Sequence, residues 1–217
     1  MKHKKYSHIF WDWNGTLLDD VKRCMSCINT MVRKRGLPLL ESIRDYQNVF
    51  GFPIIDYYRR VGFDFTKESF EVLAVEYIDL YHEKGGVPVC LFSDVKDTLK
   101  SLHEADYLQV VLSASAMDNL LTQIYPYDIL SFFDGILGVS DIYAKSKVDI
   151  GRDYMSHNPV TAGLMVGDTV HDYEVAVAMG IDCVLVDRGH QSREQLRACS
   201  VPIFDDIASV RAFLVSE

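Results

Sequence analysis

The sequence lacks the features that would place a protein in a membrane or on nucleic acid. Its first apolar stretch, Ile9–Trp13, is interrupted at Asp12 and is far too short for a signal peptide or a membrane span. Positive charge is scarce, because 22 basic residues stand against 31 acidic ones and the net charge is −9. Such a chain is not expected to have nucleic acid or an anionic membrane as its main partner. We therefore expect a cytoplasmic protein with neither partner.

The sequence also lacks a disulfide framework and a zinc-binding pattern. Its cysteines lie at positions 24, 27, 90, 183 and 199, an odd number scattered along the chain, which favours free thiols. Cys24 and Cys27 form a Cys-x-x-Cys pair, but no second pair completes a zinc site. Both fall on a helical pattern, which predicts buried positions of a helix. No low-complexity tract is present, and 48% hydrophobic residues indicate an ordinary globular protein.

Two kinds of hydrophobic pattern occur along the chain, and together they predict an α/β core with an insertion. The segment His8–Trp13 is a short apolar run followed at once by Asn-Gly, which is typical of a buried strand that ends in a turn. After Pro88, short apolar runs alternate with helical patterns, as in a parallel sheet covered on both faces. Those runs are Leu108–Ser113, Gly135–Gly138, Leu164–Val166 and Cys183–Val186.

Residues 19–87 show only helical patterns. We predict one helix from Val21, with Asp19 or Asp20 as its N-cap and Gly36 as its stop. Two more are expected at Ile54–Val61 and at Phe70–Tyr81, the latter with Thr66 as a candidate N-cap. The predicted domains are a core of residues 1–18 and 88–217 and a helical cap of residues 19–87. The two joins, near residues 17–20 and 85–88, make a natural hinge.

Four short signatures follow predicted strands or open a helix, in an order that suggests a family. They are Asp12-Trp13-Asn14-Gly15-Thr16-Leu17, then Ser113, then Lys147, then Gly167-Asp168-Thr169-Val170-His171-Asp172. This pattern resembles the haloacid dehalogenase superfamily of phosphatases, in particular its phosphoglycolate-phosphatase-like branch. The resemblance covers essentially the whole chain. It implies a Rossmann-like parallel-sheet core with a small all-helical cap inserted after the first strand.

The resemblance implies that Asp12 is a nucleophile that carries the phosphoryl group. A carboxylate attacks a phosphate dianion poorly unless cations neutralise both, and a cluster of hard oxygen ligands suits Mg²⁺. By resemblance, Asp12, Asp168 and the backbone carbonyl of Asn14 are ligands of Mg²⁺, and Asp172 supports the metal site or the lysine. The other reading of Asp168 and Asp172 is that they cap the helix beginning near Tyr173.

A lysine is expected to stabilise negative charge on Asp12 and on the transferring phosphoryl group. Lys147 is favoured over Lys145, because the family places its lysine immediately before the segment that opens the helix. The resemblance assigns the remaining phosphate contacts to Gly15, Thr16, Ser113 and the backbone N–H of Ala114. The implied substrate is a small phosphorylated metabolite, with phosphoglycolate as the family-level default. The sequence leaves monomer and dimer open.

Asn14 departs from the family pattern, in which phosphatases carry an aspartate two residues after the nucleophile. That aspartate protonates the leaving oxygen and later activates water, and an amide can do neither. The sequence therefore leaves several functions open. The protein acts on anhydrides or acyl phosphates, uses another acid–base group such as His171, or is a weak or non-catalytic relative that binds metabolites. If the missing acid matters, Asn14→Asp is expected to raise turnover of alkyl phosphates.

Two further alternatives belong to other classes. A related branch cleaves carbon–phosphorus bonds with a cap lysine, for which Lys22, Lys34 and Lys67 are candidates without a motif. A receiver domain that is merely phosphorylated has no inserted cap and a much shorter chain. In the predicted cap, residues 50–53 resemble a turn that faces the active site in related caps. Arg59 and Arg60 are candidates for a substrate carboxylate, although charged helix surfaces usually serve solubility.

Overall fold

The structure is a computed structural model, and it describes residues 5–139 and 146–216. Lys145, the alternative to Lys147, lies outside the described residues. None of the helices in the described ranges is both long and apolar enough to cross a membrane.

Strands and helices alternate along most of the chain, as the apolar runs predict. The strands are β1 (His8–Trp11), β2 (Leu18–Asp19), β3 (Cys90–Leu91), β4 (Leu108–Ala116), β5 (Gly135–Val139), β6 (Gly163–Gly167), β7 (Asp182–Val186) and β8 (Ile203–Phe204). The α-helices are α1 (Val21–Lys34), α2 (Ile43–Val49), α3 (Ile54–Val61), α4 (Phe70–His82), α5 (Val95–Glu104), α6 (Met117–Ile124), α7 (Lys147–His157), α8 (Val170–Met179), α9 (Arg193–Leu196) and α10 (Ile207–Ser216).

Six of the described strands form one parallel sheet in the order β5-β4-β1-β6-β7-β8. Side chains along each strand alternate between two apolar clusters, one on each face of the sheet. In β1, Trp11 packs into one cluster while Phe10 packs into the other. Helices therefore cover both faces, as continuous apolar strands require. The α/β fold expected from the sequence is confirmed.

Helices α1 to α4 pack around a third apolar cluster of their own. In α1, Cys24, Ile28 and Met31 recur at helical spacing and are buried there. The short helix α2 was not predicted, because only Tyr46 of its seven residues is buried and its apolar spacing is weak. It begins at a capping box in which Ser42 and Asp45 satisfy each other's backbone N–H groups.

The structure corrects the end of one predicted strand, one predicted N-cap and the start of one predicted helix. Strand β1 ends at Trp11, two residues earlier than predicted, because the chain turns at Asp12 to start the loop. Helix α4 is capped by Ser69, whose hydroxyl accepts from Val72 N–H, whereas Thr66 bonds to Asp64. Helix α8 begins at Val170, three residues before Tyr173, because Thr169 caps it.

The two joins between the cap helices and the sheet run side by side. Leu18 and Asp19 of β2 pair antiparallel with Leu91 and Cys90 of β3, a pairing that the sequence did not indicate. The cap helices thus enter and leave through one two-stranded ribbon.

Candidate active site

The carboxyl ends of three neighbouring strands bring the predicted motif residues to one edge of the sheet. Trp11 of β1 lies in register with Val111 of β4 and Val166 of β6. Asp12 therefore lies beside the residues that leave those two strands, and its N–H donates to the carbonyl of Val166 at 2.9 Å. Since loops at the carboxyl ends of parallel strands form the crevice of such sheets, this edge is the candidate active site.

A buried lysine connects two of the predicted carboxylates. The Nζ of Lys147 lies 2.6 Å from Oδ1 of Asp12 and 2.7 Å from Oδ1 of Asp172. The side chains of Lys147 and Asp172 are each 3% exposed, and that of Asp12 is 12% exposed. Water screens this trio little, so its charges interact strongly.

Thr16 and Asp168 complete the group beside Asp12. The single hydroxyl proton of Thr16 faces two carboxylate oxygens, Oδ2 of Asp12 at 3.2 Å and Oδ1 of Asp168 at 3.1 Å. Gly15 has a φ of +78°, and a Cβ there would lie 2.4 Å from an oxygen of Asp168. Glycine is therefore required at position 15 both by the turn and by the close approach of Asp168.

Burial and neighbouring charges shift the pKa values of these carboxyl groups in different directions. Burial raises the pKa of Asp12, and Lys147 only partly offsets that effect. Burial also raises the pKa of Asp168, to which the charges of Asp12 and Asp172 add. For Asp172, burial is outweighed by Lys147 and by hydrogen bonds, so its pKa is lowered. Asp12 and Asp168 are thus the two carboxylates of this group whose pKa is raised.

Asp172 serves both the site and the helix that follows it. One oxygen accepts from Lys147, while the other accepts from the N–H and the hydroxyl of Thr169 at 3.0 and 2.7 Å. Thr169 in turn caps α8. Because protein donors engage both oxygens, Asp172 orients Lys147 in this structure, and its part in metal binding stays a prediction.

Ser113 and Ala114 lie in the last part of β4, where its register with β5 shifts. Ser113 is buried and its hydroxyl accepts from Ser115 N–H at 3.1 Å, whereas Ala114 is exposed. Their contacts with phosphate stay a prediction.

The side chain of Asn14 points to a carboxylate that the sequence did not single out for the site. Its Nδ2 donates to Oδ2 of Asp20 at 2.8 Å, and its Oδ1 accepts from the hydroxyl of Ser115 at 3.1 Å. Asp20 was considered only as an N-cap of α1. It occupies that position, but its side chain makes no capping hydrogen bond.

His190 is a second residue that sequence reasoning missed. Its backbone N–H donates to Oδ2 of Asp168 at 2.6 Å, and its Nε2 lies 3.3 Å from Oδ1 of Asp20. Burial lowers the pKa of His190, but Asp20, Asp168 and Asp12 together raise it to about 9. The sequence did contain a signal for His190, since this residue follows the apolar run of β7. The loop after β7 lies at the same edge of the sheet, where loops form the crevice.

The cap helices contact the site through the same histidine. The hydroxyl of Tyr46 in α2 lies 2.8 Å from Nδ1 of His190, and Phe50 stacks on the imidazole ring at 4.7 Å. Gln47 donates to the carbonyl of Gly189 at 2.9 Å. The turn expected to face the active site therefore covers the loop that carries His190.

The other candidates named from the sequence lie away from Asn14. His171 stacks on Phe52 at 4.3 Å and lies 3.5 Å from Glu174. Arg59 pairs with Asp56 on the surface. Arg60 donates to the carbonyl of Val49 and lines a cavity of about 380 Å³. The three cap lysines, Lys22, Lys34 and Lys67, are exposed.

Residues 9–186 match the family of haloacid dehalogenase-like hydrolases. The chain belongs to this family. Membership makes the protein an enzyme of the hydrolase type, and the superfamily resemblance inferred from the motifs is confirmed. The phosphoglycolate-phosphatase-like branch is confirmed as well.

Several relatives of this haloacid dehalogenase-like hydrolase are known. Tyrosine-protein kinase PtkA of Mycobacterium tuberculosis is 27% identical over 205 residues, covering 93% of this chain and 69% of PtkA. Phosphoglycolate phosphatase of Vibrio parahaemolyticus is 24% identical, covering 93% of this chain and 92% of the relative. A predicted phosphatase from Clostridium acetobutylicum shares the fold with a TM-score of 0.82 at 20% identity, covering 98% and 99% of the two chains.

The carboxylates of this hydrolase fit a divalent cation. Oxygen atoms of Asp12, Asp168 and Asp172 lie within 4.8 Å of one another. Lys147 offsets part of their negative charge, and the one proton of Thr16 cannot serve the oxygens of Asp12 and Asp168 at once. A hard cation with oxygen ligands would satisfy both.

Proposed function

We propose that this hydrolase is a Mg²⁺-dependent phosphatase that acts on a small phosphorylated metabolite through an aspartyl-phosphate on Asp12. The observation that carries the proposal is the buried contact of Asp12 with Lys147 at the carboxyl edge of the sheet. A positioned cation beside a buried carboxylate is what attack on a phosphate dianion requires. The names of several relatives, phosphatase among them, support the same reaction class.

In the first step, an oxygen of Asp12 attacks phosphorus while the bond from phosphorus to the leaving oxygen breaks. The leaving oxygen departs with the electron pair and takes a proton from water. In the second step, water attacks the phosphorus of the aspartyl-phosphate, the bond to Asp12 breaks, and inorganic phosphate and a proton leave. Lys147 stabilises negative charge in both steps, and Asp172 holds the ammonium group in place.

The proposed ligands of the metal are Asp12, Asp168 and the backbone carbonyl of Asn14. When bound, Mg²⁺ supplies positive charge that reduces repulsion between the carboxylate and the phosphate. We propose that Thr16, Gly15, Ser113 and the N–H of Ala114 contact the phosphate oxygens.

Asn14 sets the expected rate. Loss of a general acid–base group costs roughly 10²–10⁴ in rate, so hydrolysis of the aspartyl-phosphate is the slow step for substrates whose leaving group needs no proton, and both steps are slowed for alkyl phosphates. Anhydrides and acyl phosphates are affected less in the first step, because their leaving groups need no proton. A non-catalytic metabolite-binding relative is the alternative that Asn14 favours. The contact of Asp12 with Lys147 argues against it, because it keeps the nucleophile beside its cation.

We propose that the cap selects the substrate. Arg60 lines the cavity between the cap turn and the start of α8, together with Phe52, His171 and Gln191. A guanidinium group at the rim of such a cavity suits a substrate carboxylate. Carbon–phosphorus cleavage gains no support, because a Schiff-base lysine must be desolvated, whereas Lys34 pairs with Glu76 on the surface.

A panel of phosphorylated metabolites and pyrophosphate, assayed with and without Mg²⁺, tests the function. Hydrolysis that needs Mg²⁺ and disappears in Asp12→Asn is the expected result. Hydrolysis that persists in Asp12→Asn would overturn the proposed nucleophile. Absence of turnover together with saturable metabolite binding would favour the non-catalytic alternative.

A further inference from the structure

Asp20 is buried at the start of the first cap helix and uses its carboxylate for long-range contacts. It is 1% exposed and occupies the N-cap position of α1, where aspartate normally accepts from the first backbone N–H groups. No such bond forms. Instead, Oδ2 accepts from Asn14 Nδ2 and from the hydroxyl of Tyr81, each at 2.8 Å.

The other oxygen of Asp20 lies beside His190. Among the residues that the structure describes, Oδ1 has no hydrogen-bond partner, and Nε2 of His190 lies 3.3 Å away. The carboxylate is thereby fixed between the loop after β1 (residues 12–17, here called the catalytic loop), the end of α4 and the loop after β7. A carboxylate held from three sides cannot easily turn away from Asn14.

The orientation of the Asn14 amide follows from its partners. A carboxylate only accepts hydrogen bonds, so the NH₂ group of Asn14 must face Asp20. Its oxygen then faces Ser115, whose hydroxyl donates to it. Both ends of the amide are engaged by the protein, and neither offers the acidic proton or the base that phosphate-ester hydrolysis needs.

We propose that Asp20 is a positioning residue that makes asparagine obligatory at position 14, so that acid–base function returns only when both residues are changed. This inference rests on the proposed function. With aspartate at position 14, one of its carboxylate oxygens would lie next to Oδ2 of Asp20 at the distance of the present hydrogen bond. The two negative charges would repel each other. The new side chain would turn away from Asp20, and with it from the place that Asn14 occupies.

Exchanging the two residues removes that conflict. In Asn14→Asp/Asp20→Asn the amide at position 20 donates to the carboxylate at position 14, and the net charge is unchanged. The negative charge moves from the start of the cap to the catalytic loop. The single variant Asn14→Asp lacks this donor.

The test compares four forms of the whole chain with nitrophenyl phosphate and phosphoglycolate in Mg²⁺. They are the wild type, Asn14→Asp, the exchange variant, and Asn14→Asp/Asp19→Asn. Asp19 is the matched control, because it neighbours Asp20 in sequence while Asp20 is the carboxylate bonded to Asn14. Burst amplitude with nitrophenyl phosphate reports formation of the aspartyl-phosphate, and steady-state turnover reports its hydrolysis.

We expect a burst and slow turnover in the wild type. The exchange variant should turn over phosphoglycolate roughly 10²-fold faster and lose the burst. In Asn14→Asp and in the Asp19 control, turnover of phosphoglycolate should rise less than about 10-fold. A merely structural role of Asp20 would alter melting temperatures without this split between burst and steady state.

Asn14→Asp that alone matches the exchange variant would overturn the inference, and so would a folded exchange variant without a gain. If the exchange variant does not fold, Asn14→Asp/Asp20→Ser replaces it, since serine suits the N-cap position. A different outcome would refute the proposed function itself: the wild type shows no burst, and it shows no turnover that depends on Mg²⁺ and disappears in Asp12→Asn.

Discussion

Replacing His190 by glutamine should remove a pH-dependent part of the stability. The imidazole lies against Asp20 and is buried, and its pKa is raised from 6.5 to about 9 in the folded protein. Glutamine keeps a donor near Asp20 but carries no charge. The variant therefore isolates the contribution of the imidazolium.

The sign follows from linkage. Because the folded pKa of His190 lies above the unfolded value, its stabilising contribution is complete below pH 6.5 and disappears as the pH rises through 9. At about 1.4 kcal/mol for each pKa unit, the full contribution is about 3 kcal/mol of unfolding free energy. Roughly 2 kcal/mol of it should be lost between pH 7 and pH 9.

Urea unfolding at pH 6 to 10, in EDTA so that no cation binds the carboxylates, measures this difference. The unfolding free energy of the wild type minus that of His190→Gln should fall across the range. The exposed His157 provides the matched control for replacing a histidine by glutamine at a position open to water. A flat difference for His190→Gln would refute the buried ion pair with Asp20.

The remaining predictions concern catalysis, metal, thiols and the cap. Asp12→Asn should reduce turnover to below a few per cent, as initial rates would show. Thermal scans should show that the variant is still folded at the temperature of the assay. Asp168→Ala should flatten the magnesium titration of activity, and an unchanged titration would place the metal elsewhere. A disulfide reagent at pH 8 should modify the exposed Cys90 first, because burial raises the pKa of Cys27 to about 11; equal rates would contradict this burial. Structures with and without a phosphate mimic should differ in the angle of the cap, whereas an identical apolar interface in both would count against the hinge.

The sequence by itself determined the sheet and the gathering of the motif residues. Short continuous apolar runs predict strands buried on both faces, and parallel strands collect their carboxyl ends at one edge. The position of Asp12 beside Lys147 is what the family resemblance implies, although the two are far apart in the chain. Such signals are readable because each is local to a strand or to a helix start.

Only the tertiary structure decided what surrounds Asn14. Local rules assign Asp20 to the N-cap of α1, since an aspartate there usually satisfies nearby backbone N–H groups. In the fold, the carboxylate of Asp20 instead accepts hydrogen bonds from Tyr81 and Asn14 and lies against His190. Tyr81 comes from the end of α4 and His190 from the loop after β7, and the sequence around Asp20 does not indicate that either residue lies beside it. A buried charge must find its partners wherever folding brings them, so its role depends on packing rather than on local pattern.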